Sequence, residues 1–311
     1  MTTPHQQRFT GLVAAPFTPF HDDGAVAEDV IERQCEKLVA DGVVGAFVCG
    51  TTGEGPSLTM AERMRVSGRW VAAARNRLRV VVHVGHTSAA EARELAAHAQ
   101  AIGADGVGCL APYFFRPASI ADLVGFCGHV AAAAPALPFY YYHIPSLTGV
   151  TFPMREFLPV AAKAIPNFAG IKYTFEDLAD FAACTRFEDG AYEMFFGRDE
   201  LLIEGLAAGA TGAIGSTYSY MAGIYHPLIA AHHEAQAAVA RTWQEKANRI
   251  IAIMIRHGGL PAGKRMMAIA GIDCGPVRSP LAPLDGAAAA ALEPNWQRRA
   301  SRWRDRSTGC C

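Results

Sequence analysis

The sequence has no apolar run long enough to cross a membrane, no excess of either charge and no nucleotide-binding motif. None of its apolar runs reaches the ~18 residues that a bilayer requires. With 28 Lys and Arg against 29 Asp and Glu, the formal net charge is -1, so no bulk field attracts nucleic acid or an anionic membrane. No GxGxxG or GxxxxGK[ST] pattern follows a predicted strand. These absences favour a small-molecule partner.

Signs of export and of disulfide bonding are also missing. Residues 1–9 are polar, without the apolar segment of a signal peptide. Six cysteines lie in apolar segments without CxxC spacing, which predicts buried free thiols in a reducing compartment: Cys35, Cys49, Cys109, Cys127, Cys184 and Cys274. Cys310 and Cys311 end a polar, Arg-rich tail that we predict to be disordered. We therefore expect a soluble, cytoplasmic protein.

What the sequence does contain is a regular alternation of short and long patterns. A hydrophobic content of 51% over 311 residues allows a large core. Up to about residue 216, β-rich runs alternate with helical patterns. The predicted strands are Gly11–Ala15, Gly45–Cys49, Arg79–Val84, Gly106–Leu110, Pro138–Tyr142, Phe168–Lys172, Glu193–Phe196 and Gly212–Gly215. Most are almost continuously apolar, as strands buried on both faces of a parallel sheet must be.

Eight strands that alternate with helices predict an α/β fold, a (β/α)8 TIM barrel, with a doubly wound open sheet as the alternative. Capping boxes at Thr59 and Ser88 and a Pro153 start mark three of the helices. The pattern after Tyr220 is helical, without a linker. We predict a barrel core over residues 1–225, the last barrel helix and C-terminal helices packed on the barrel over residues 226–300, and the tail over residues 301–311.

The predicted strand ends bring a set of polar residues to one place. In a barrel, functional side chains lie at the C-terminal ends of the strands. Lys172 ends its strand there, and an ammonium that points into the barrel is desolvated. Desolvation favours the neutral amine, which attacks a ketone to form an imine. On spacing alone, a lysine that reaches solvent or pairs with Glu176 is at least as good an interpretation; convergence with the other strand ends favours the imine.

The neighbouring strand ends offer binding and proton-transfer groups. Thr51 and Thr52 lie in a Gly-flanked turn whose hydroxyl and N–H groups suit a carboxylate, although such turns often bind nothing. Tyr142 can act in proton transfer, whereas packing at the rim suits Tyr140 and Tyr141 better. The carboxylates that follow the seventh strand, Asp199 and Glu200, suit either a helix N-terminus or a polyol.

Two hypotheses from other classes compete with the imine. A metal-dependent barrel enzyme would use His83, His86 and His143, but no carboxylate lies at a comparable strand end beside them, so we expect no metal. A binding protein without activity would keep the barrel and form no imine. Turnover that resists EDTA would exclude the first hypothesis, and the presence of both Lys172 and Tyr142 argues against the second.

Five motifs occur in an order that identifies a family. They are GTTGEG, YYHIPSLTGV, GIKYT, FFGRDE and GAIGSTYSY, within a likeness that runs from about Gly11 to Leu284. The chain resembles the pyruvate-dependent class I aldolase superfamily that contains dihydrodipicolinate synthase and N-acetylneuraminate lyase. Within it, FYYYHIPSLTGV and GAIGSTYSY look most like the N-acetylneuraminate lyases. Leu147 argues against the synthases, which place an arginine there to bind a carboxylate.

This resemblance implies a reaction and assigns a role to each residue. Lys172 would form the imine and Tyr142 would transfer the proton, while Thr51 and Thr52 would hold the pyruvyl carboxylate. The positions that match the sugar-binding residues of the lyases are Thr174, Gly197, Asp199, Glu200 and Ser216. The implied activity is reversible cleavage of a sialic acid to pyruvate and an N-acylated hexosamine, with no metal or organic cofactor.

The resemblance also implies a homotetramer and leaves one alternative reaction open. Another pyruvate-dependent lyase, such as a sugar-acid aldolase or dehydratase, shares the lysine and the tyrosine. Two residues depart from the lyase pattern: Thr51 stands where serine is common, and Phe114 where many relatives have a second tyrosine. Phe114 removes one hydroxyl from the proton path and, by resemblance, approaches the site of a neighbouring subunit.

Overall fold

The computed structural model describes residues 9–286, 289, 290 and 292. Predictions for residues 1–8 and for the tail at 301–311, with Cys310 and Cys311, lie outside these residues. The six other cysteines are buried free thiols, as predicted. Within the described ranges, no helix combines the length and the apolar character needed to cross a bilayer.

Eight parallel strands form a closed barrel in chain order, with β8 paired to β1. The strands are β1 (Gly11–Ala14), β2 (Gly45–Val48), β3 (Arg79–His83), β4 (Gly106–Leu110), β5 (Phe139–His143), β6 (Phe168–Tyr173), β7 (Glu193–Phe196) and β8 (Gly212–Gly215). Each observed strand lies within one residue of its predicted bounds at either end. The predicted TIM barrel is confirmed, and closure of the sheet excludes the open, doubly wound alternative.

Helices follow the strands and cover the outside of the barrel. They are α1 (Glu28–Ala40), α2 (Met60–Ala74), α3 (Ala89–Ala101), α4 (Ile120–Ala131), α5 (Pro145–Thr148), α6 (Met154–Ala164), α7 (Leu178–Thr185), α8 (Leu202–Ala207), α9 (Tyr218–His233), α10 (Ala237–Arg256) and α11 (Leu260–Ile269). Short 3-10 turns cover Gly55–Ser57, Phe187–Gly190 and Asp199–Leu201. The division at residues 225 and 226 stays a prediction, and α9 lies across it.

The predicted helix starts were correct to different degrees. At Thr59 both bonds of the capping box are present, since its side chain and that of Glu62 each bond to the other's backbone N–H. At Ser88 only half of the box forms: its hydroxyl accepts from the N–H of Glu91 at 3.3 Å. The N–H of Ser88 donates instead to Nδ1 of His86 at 3.0 Å, and the Glu91 carboxylate lies 2.9 Å from that same nitrogen.

Strand alternation divides the apolar residues between two cores. One core fills the space between the sheet and the helices and includes Tyr141. The other fills the inside of the barrel and includes Tyr140, Tyr142 and Phe47. Because successive side chains of a strand point to opposite faces, the run of three tyrosines separates into two inward and one outward residue. Tyr142 is the inward tyrosine nearest the C-terminal end of the barrel.

The strand register sets which inward side chains are level with one another. Tyr142 of β5 pairs with Lys172 of β6, and Lys172 pairs with Phe195 of β7. On the other side of β5, Leu110 of β4 pairs with Tyr142. Lys172 therefore lies beside Tyr142, at the end of the barrel where functional groups collect.

Candidate active site

A cavity of about 220 Å³ opens at the C-terminal end of the barrel. All nine residues predicted from the sequence line it: Thr51, Thr52, Tyr142, Lys172, Thr174, Gly197, Asp199, Glu200 and Ser216. They come from the ends of β2, β5, β6, β7 and β8. The fold therefore brings every predicted site residue to one place.

Lys172 lies at the base of this cavity with its amine almost out of contact with water. The residue is 4% exposed. Its Nζ lies 4.1 Å from the ring centres of both Phe47 and Tyr142. Burial lowers the pKa of the Lys172 amine from 10.5 to about 7, and the nearby Asp199 carboxylate opposes this shift. A large fraction of the amine is therefore neutral and nucleophilic at neutral pH.

Tyr142 presents its hydroxyl to the first threonine of the β2 turn. The Oγ1 of Thr51 and the hydroxyl of Tyr142 lie 3.3 Å apart. Burial raises the pKa of Tyr142 to about 12, and the hydrogen bond with Thr51 works in the opposite direction. Tyr142 is therefore a neutral phenol near pH 7 and can donate and accept a hydrogen bond at once.

The turn after β2 is a tightly folded loop with its own internal hydrogen bonds. The N–H of Glu54 donates to the carbonyl of Thr51 at 3.0 Å, and the N–H of Gly55 donates to that of Gly50 at 3.0 Å. A side chain at Gly55 would overlap the carbonyl oxygen of Cys49, so the loop closes only around a glycine. Thr51 and Thr52 are thus held half-buried at the cavity wall.

Asp199 is a buried carboxylate whose hydrogen bonds of normal geometry all go to one oxygen. Its Oδ2 accepts the N–H and the hydroxyl of Thr217 at 3.1 and 2.6 Å. In the described part of the chain its Oδ1 and the Oγ1 of Thr174 are buried without a hydrogen bond of normal geometry, although the Tyr218 hydroxyl lies near enough to lower the pKa of Asp199, and Thr174 near enough to lower that of Tyr142. Burial raises the pKa of Asp199 to about 6. Two polar atoms at the cavity wall are therefore left for a polar ligand, which reaches them once the side chains around them move.

Glycines allow both of these atoms to lie where they do. A Cβ at Gly215 would overlap Oδ1 of Asp199, and one at Gly197 would overlap Oγ1 of Thr174. The helix-terminus interpretation of Asp199 and Glu200 holds in part: both lie in the first turn of the 3-10 helix Asp199–Leu201 that leads into α8, but no side-chain cap bond forms there, and the Asp199 carboxylate bonds to Thr217. Folding across the barrel brings Thr217 closer than the helix start.

Arg198 is a cavity residue that sequence reasoning did not select. Its Nη1 lies 2.7 Å from Oε1 of Glu176, and its Nη2 lies 2.6 Å from Oε1 of Glu200. The guanidinium thus fixes Glu200 at the rim and joins the ends of β6 and β7. The sequence shows Arg198 within the FFGRDE motif. Its pairing with Glu176 could not be predicted, because it depends on how close the ends of β6 and β7 lie in the folded barrel.

An apolar wall from α10 completes the cavity and was also missed. Ile251, Met254 and Ile255 line the side that faces the polar groups. Ile255 is 61% exposed, so this wall reaches the surface of the protein. Helical periodicity in this segment predicted only a packed helix. The local sequence does not show which face of that helix lines a cavity formed by distant strands.

Two of the three histidines of the metal hypothesis, His83 and His86, have other partners. The Nδ1 of His83 lies 3.1 Å from the carbonyl of Cys49, and burial lowers the pKa of His83 well below its usual value. Burial likewise lowers the pKa of His143 to about 4. The Nδ1 of His86 accepts from Ser88. Over the residues that the structure describes, no group of three His, Cys, Asp or Glu side chains is placed to hold a metal ion.

Leu147 and Phe114, two positions that distinguish this chain from related aldolases, lie away from the cavity. Leu147, on α5, is 57% exposed. Phe114 is 76% exposed and packs edge-on against Phe115, with ring centres 5.0 Å apart. Neither side chain lines the cavity of its own chain.

Comparisons with known proteins agree on one family. A model of the Dihydrodipicolinate synthetase family matches residues 8–297. The N-acetylneuraminate lyase of Rattus norvegicus is 43% identical over 281 residues, which are 89% of this chain and 88% of that protein. The structure of Proteus mirabilis N-acetylneuraminate lyase is 40% identical with a TM-score of 0.91, covering 94% of this chain and 98% of that one. The N-acetylneuraminate lyase (sialic acid aldolase) structure from Aliivibrio salmonicida is 37% identical with a TM-score of 0.92, covering 94% and 97%.

Proposed function

The chain belongs to the dihydrodipicolinate synthetase family, and on that premise we propose that it is an N-acetylneuraminate lyase. It is a carbon–carbon lyase that reversibly cleaves N-acetylneuraminate to pyruvate and N-acetylmannosamine. Identities of about 40% over nearly the whole chain, to relatives that carry this name, support the substrate. The observation that carries the mechanism is the buried amine of Lys172 at the base of a cavity lined by polar groups.

Lys172 forms the covalent link to the substrate. Its neutral amine attacks C2 of the open-chain keto acid, and loss of water with uptake of one proton leaves a protonated imine. The aromatic rings of Phe47 and Tyr142 favour a cation at this point, so the environment that keeps the free amine neutral still tolerates the iminium. The imine nitrogen then serves as the electron sink, and the reaction needs no other cofactor.

Tyr142 moves the proton that carbon–carbon cleavage releases. The C3–C4 bond breaks as its electron pair moves into the iminium, and the C4 hydroxyl loses its proton to become the aldehyde. Because the pKa of Tyr142 is about 12, the phenol can accept that proton only by passing on its own. We propose that the substrate carboxylate takes it. The enamine is then protonated at C3, and water releases pyruvate from Lys172.

The remaining polar residues hold the two ends of the substrate. Thr51 and Thr52 bind the carboxylate beside Tyr142, which orients the bond that breaks. The Oδ1 of Asp199 accepts hydrogen bonds from the sugar hydroxyls, and the Oγ1 of Thr174 accepts or donates them. Glu200 and Ser216 add rim contacts, while Gly197 leaves the space in which Thr174 reaches the cavity.

Assembly and location are further parts of the proposal. We propose a homotetramer in the cytoplasm. Buried, unpaired cysteines fit a reducing compartment, and the exposed Phe114 and Phe115 supply apolar area that a subunit contact would cover. Sedimentation velocity tests the tetramer directly.

Trapping the imine tests the mechanism, and a product assay tests the substrate. The protein is incubated with pyruvate, reduced with borohydride and digested, and the added mass is located by peptide analysis. An adduct on Lys172 is expected, and its absence would refute the imine mechanism. Release of N-acetylmannosamine from N-acetylneuraminate supports the substrate, whereas a strong preference for 2-oxo-3-deoxy sugar acids would favour another lyase of the family.

A further inference from the structure

A buried ion pair lies directly behind the turn that carries Thr51 and Thr52. Glu54, in the same turn, is 3% exposed, and Lys264 of α11 is also 3% exposed. Their Oε1 and Nζ atoms lie 2.9 Å apart. Burial of two opposite charges destabilises the folded state unless other groups also bond to them, so the other partners of this pair decide whether it is stable.

The further hydrogen bonds of this pair lead to the C-terminal segment. The second carboxylate oxygen of Glu54 accepts the backbone N–H of Arg278 at 2.8 Å. The ammonium of Lys264 donates to the carbonyl of Pro276 at 2.6 Å and lies 4.2 Å from the ring centre of Phe20. Residues more than 200 positions apart are thus joined through one carboxylate.

The link from Glu54 to the cavity is short. Glu54 has a left-handed backbone with φ of 52°, which a residue with a side chain adopts only when its surroundings hold it there. Its N–H donates to the carbonyl of Thr51 at 3.0 Å, and the carbonyl of Gly53 accepts from the Thr18 hydroxyl at 2.6 Å. A shift of the Glu54 side chain therefore moves the peptide groups on which Thr51 and Thr52 are placed.

We propose that Glu54 and Lys264 are positioning residues for recognition of the substrate carboxylate. The pair fixes the β2 turn against the C-terminal segment, so that the threonine hydroxyls and N–H groups meet the carboxylate without reorganising. This inference rests on the proposed function, in which that turn holds the pyruvyl carboxylate. Affinity for the 2-oxo acid depends on it, whereas the imine chemistry of Lys172 does not.

Two substitutions loosen the pair in different ways. Glu54→Gln keeps the shape but leaves one acceptor oxygen for two donors, Lys264 and the Arg278 N–H. Lys264→Met removes the cation and leaves the carboxylate of Glu54 buried without it. The matched control is Lys37→Met, which breaks a half-buried lysine–aspartate pair at the end of α1 with a 2.7 Å contact to Asp41, away from the β2 turn.

The experiment measures the pyruvate concentration that gives half-maximal borohydride trapping, and separately the adduct level at saturation. We expect Glu54→Gln and Lys264→Met to raise the half-maximal concentration by about 5–50-fold, the range expected when one or two hydrogen bonds to a carboxylate weaken. The saturated adduct level should stay within about 2-fold, and the control should match the wild type in both.

This split separates positioning from a general structural role. A reversible weakening of the fold would also raise the half-maximal concentration, because pyruvate binds only the folded chain, so urea unfolding without pyruvate must first show that each variant is almost fully folded. In a variant that loses folded protein irreversibly, the saturated adduct level falls and the half-maximal concentration of the folded fraction does not change. That result, or unchanged values in both variants, would overturn the inference alone. A wild-type protein that forms no adduct on Lys172 would instead overturn the proposed function and this inference with it.

Discussion

Replacing the buried lysine with methionine should stabilise the protein, by an amount that depends on pH. Lys172→Met keeps a long unbranched side chain but removes an amine that folding takes out of water. In the folded chain the pKa of this amine is about 7 instead of 10.5. The unfolded chain therefore binds a proton at this site more tightly than the folded chain does, and the difference is a penalty on folding.

The size of the penalty follows from the two pKa values. At about 1.4 kcal/mol per pKa unit, a group shifted from 10.5 to about 7 opposes folding by ~4 kcal/mol at pH 7. The penalty is complete below pH 7 and vanishes above 10.5, where the amine is neutral in both states. By pH 10 it has fallen to ~1 kcal/mol, so the stabilisation by Lys172→Met should fall by ~3 kcal/mol between the two pH values.

Urea unfolding at fixed protein concentration measures this difference. Wild type and Lys172→Met are compared at pH 7 and pH 10, and fixing the concentration keeps any subunit assembly constant. Lys163→Met, at an exposed position of α6, is the matched control and should show a small difference of the same size at both pH values. A variant that is less stable than the wild type at pH 7, or whose gain is the same at both pH values, would refute the argument from burial.

Three other perturbations test the site and its supports. Tyr142→Phe should lower kcat for cleavage by about 10²–10⁴-fold and still allow pyruvate to be trapped on Lys172, because the ring beneath the amine remains; near-normal kcat would contradict the proton-transfer role. Asp199→Asn removes the charge that raises the pKa of Lys172, so the acidic limb of the trapping rate against pH should move to lower pH, and movement to higher pH would be the wrong sign. Arg278 holds the pKa of Glu62 at about 2 rather than 4.5, so Arg278→Met should lower the free energy of unfolding most above pH 4.5. This loss should shrink as pH falls towards 2, and urea unfolding measured at a series of acidic pH values checks it.

The barrel was predictable because its strands are buried on both faces. Strands that are apolar on both faces must have both faces of their sheet covered. A sheet that closes into a barrel in chain order, with the helices outside, is the simplest way to do this. The strand ends then bring the predicted site together without further information, as the pairing of Tyr142 with Lys172 illustrates. Helix ends were less certain, since the N–H of Ser88 bonds to His86, a partner that the capping-box pattern does not contain.

Residue types at the strand ends determined the chemistry, and contacts across the barrel determined the pKa values and hydrogen bonds of those residues. A lysine, a tyrosine and a threonine pair in a recognisable order predicted an imine and a carboxylate site from the sequence alone. The lowered pKa of Lys172 depends on burial, and the hydrogen bonding of Asp199 depends on Thr217. No local sequence pattern indicates either one. The pair between Glu54 and Lys264 goes further, because only folding brings two charges 210 positions apart to within 2.9 Å, where water no longer screens them.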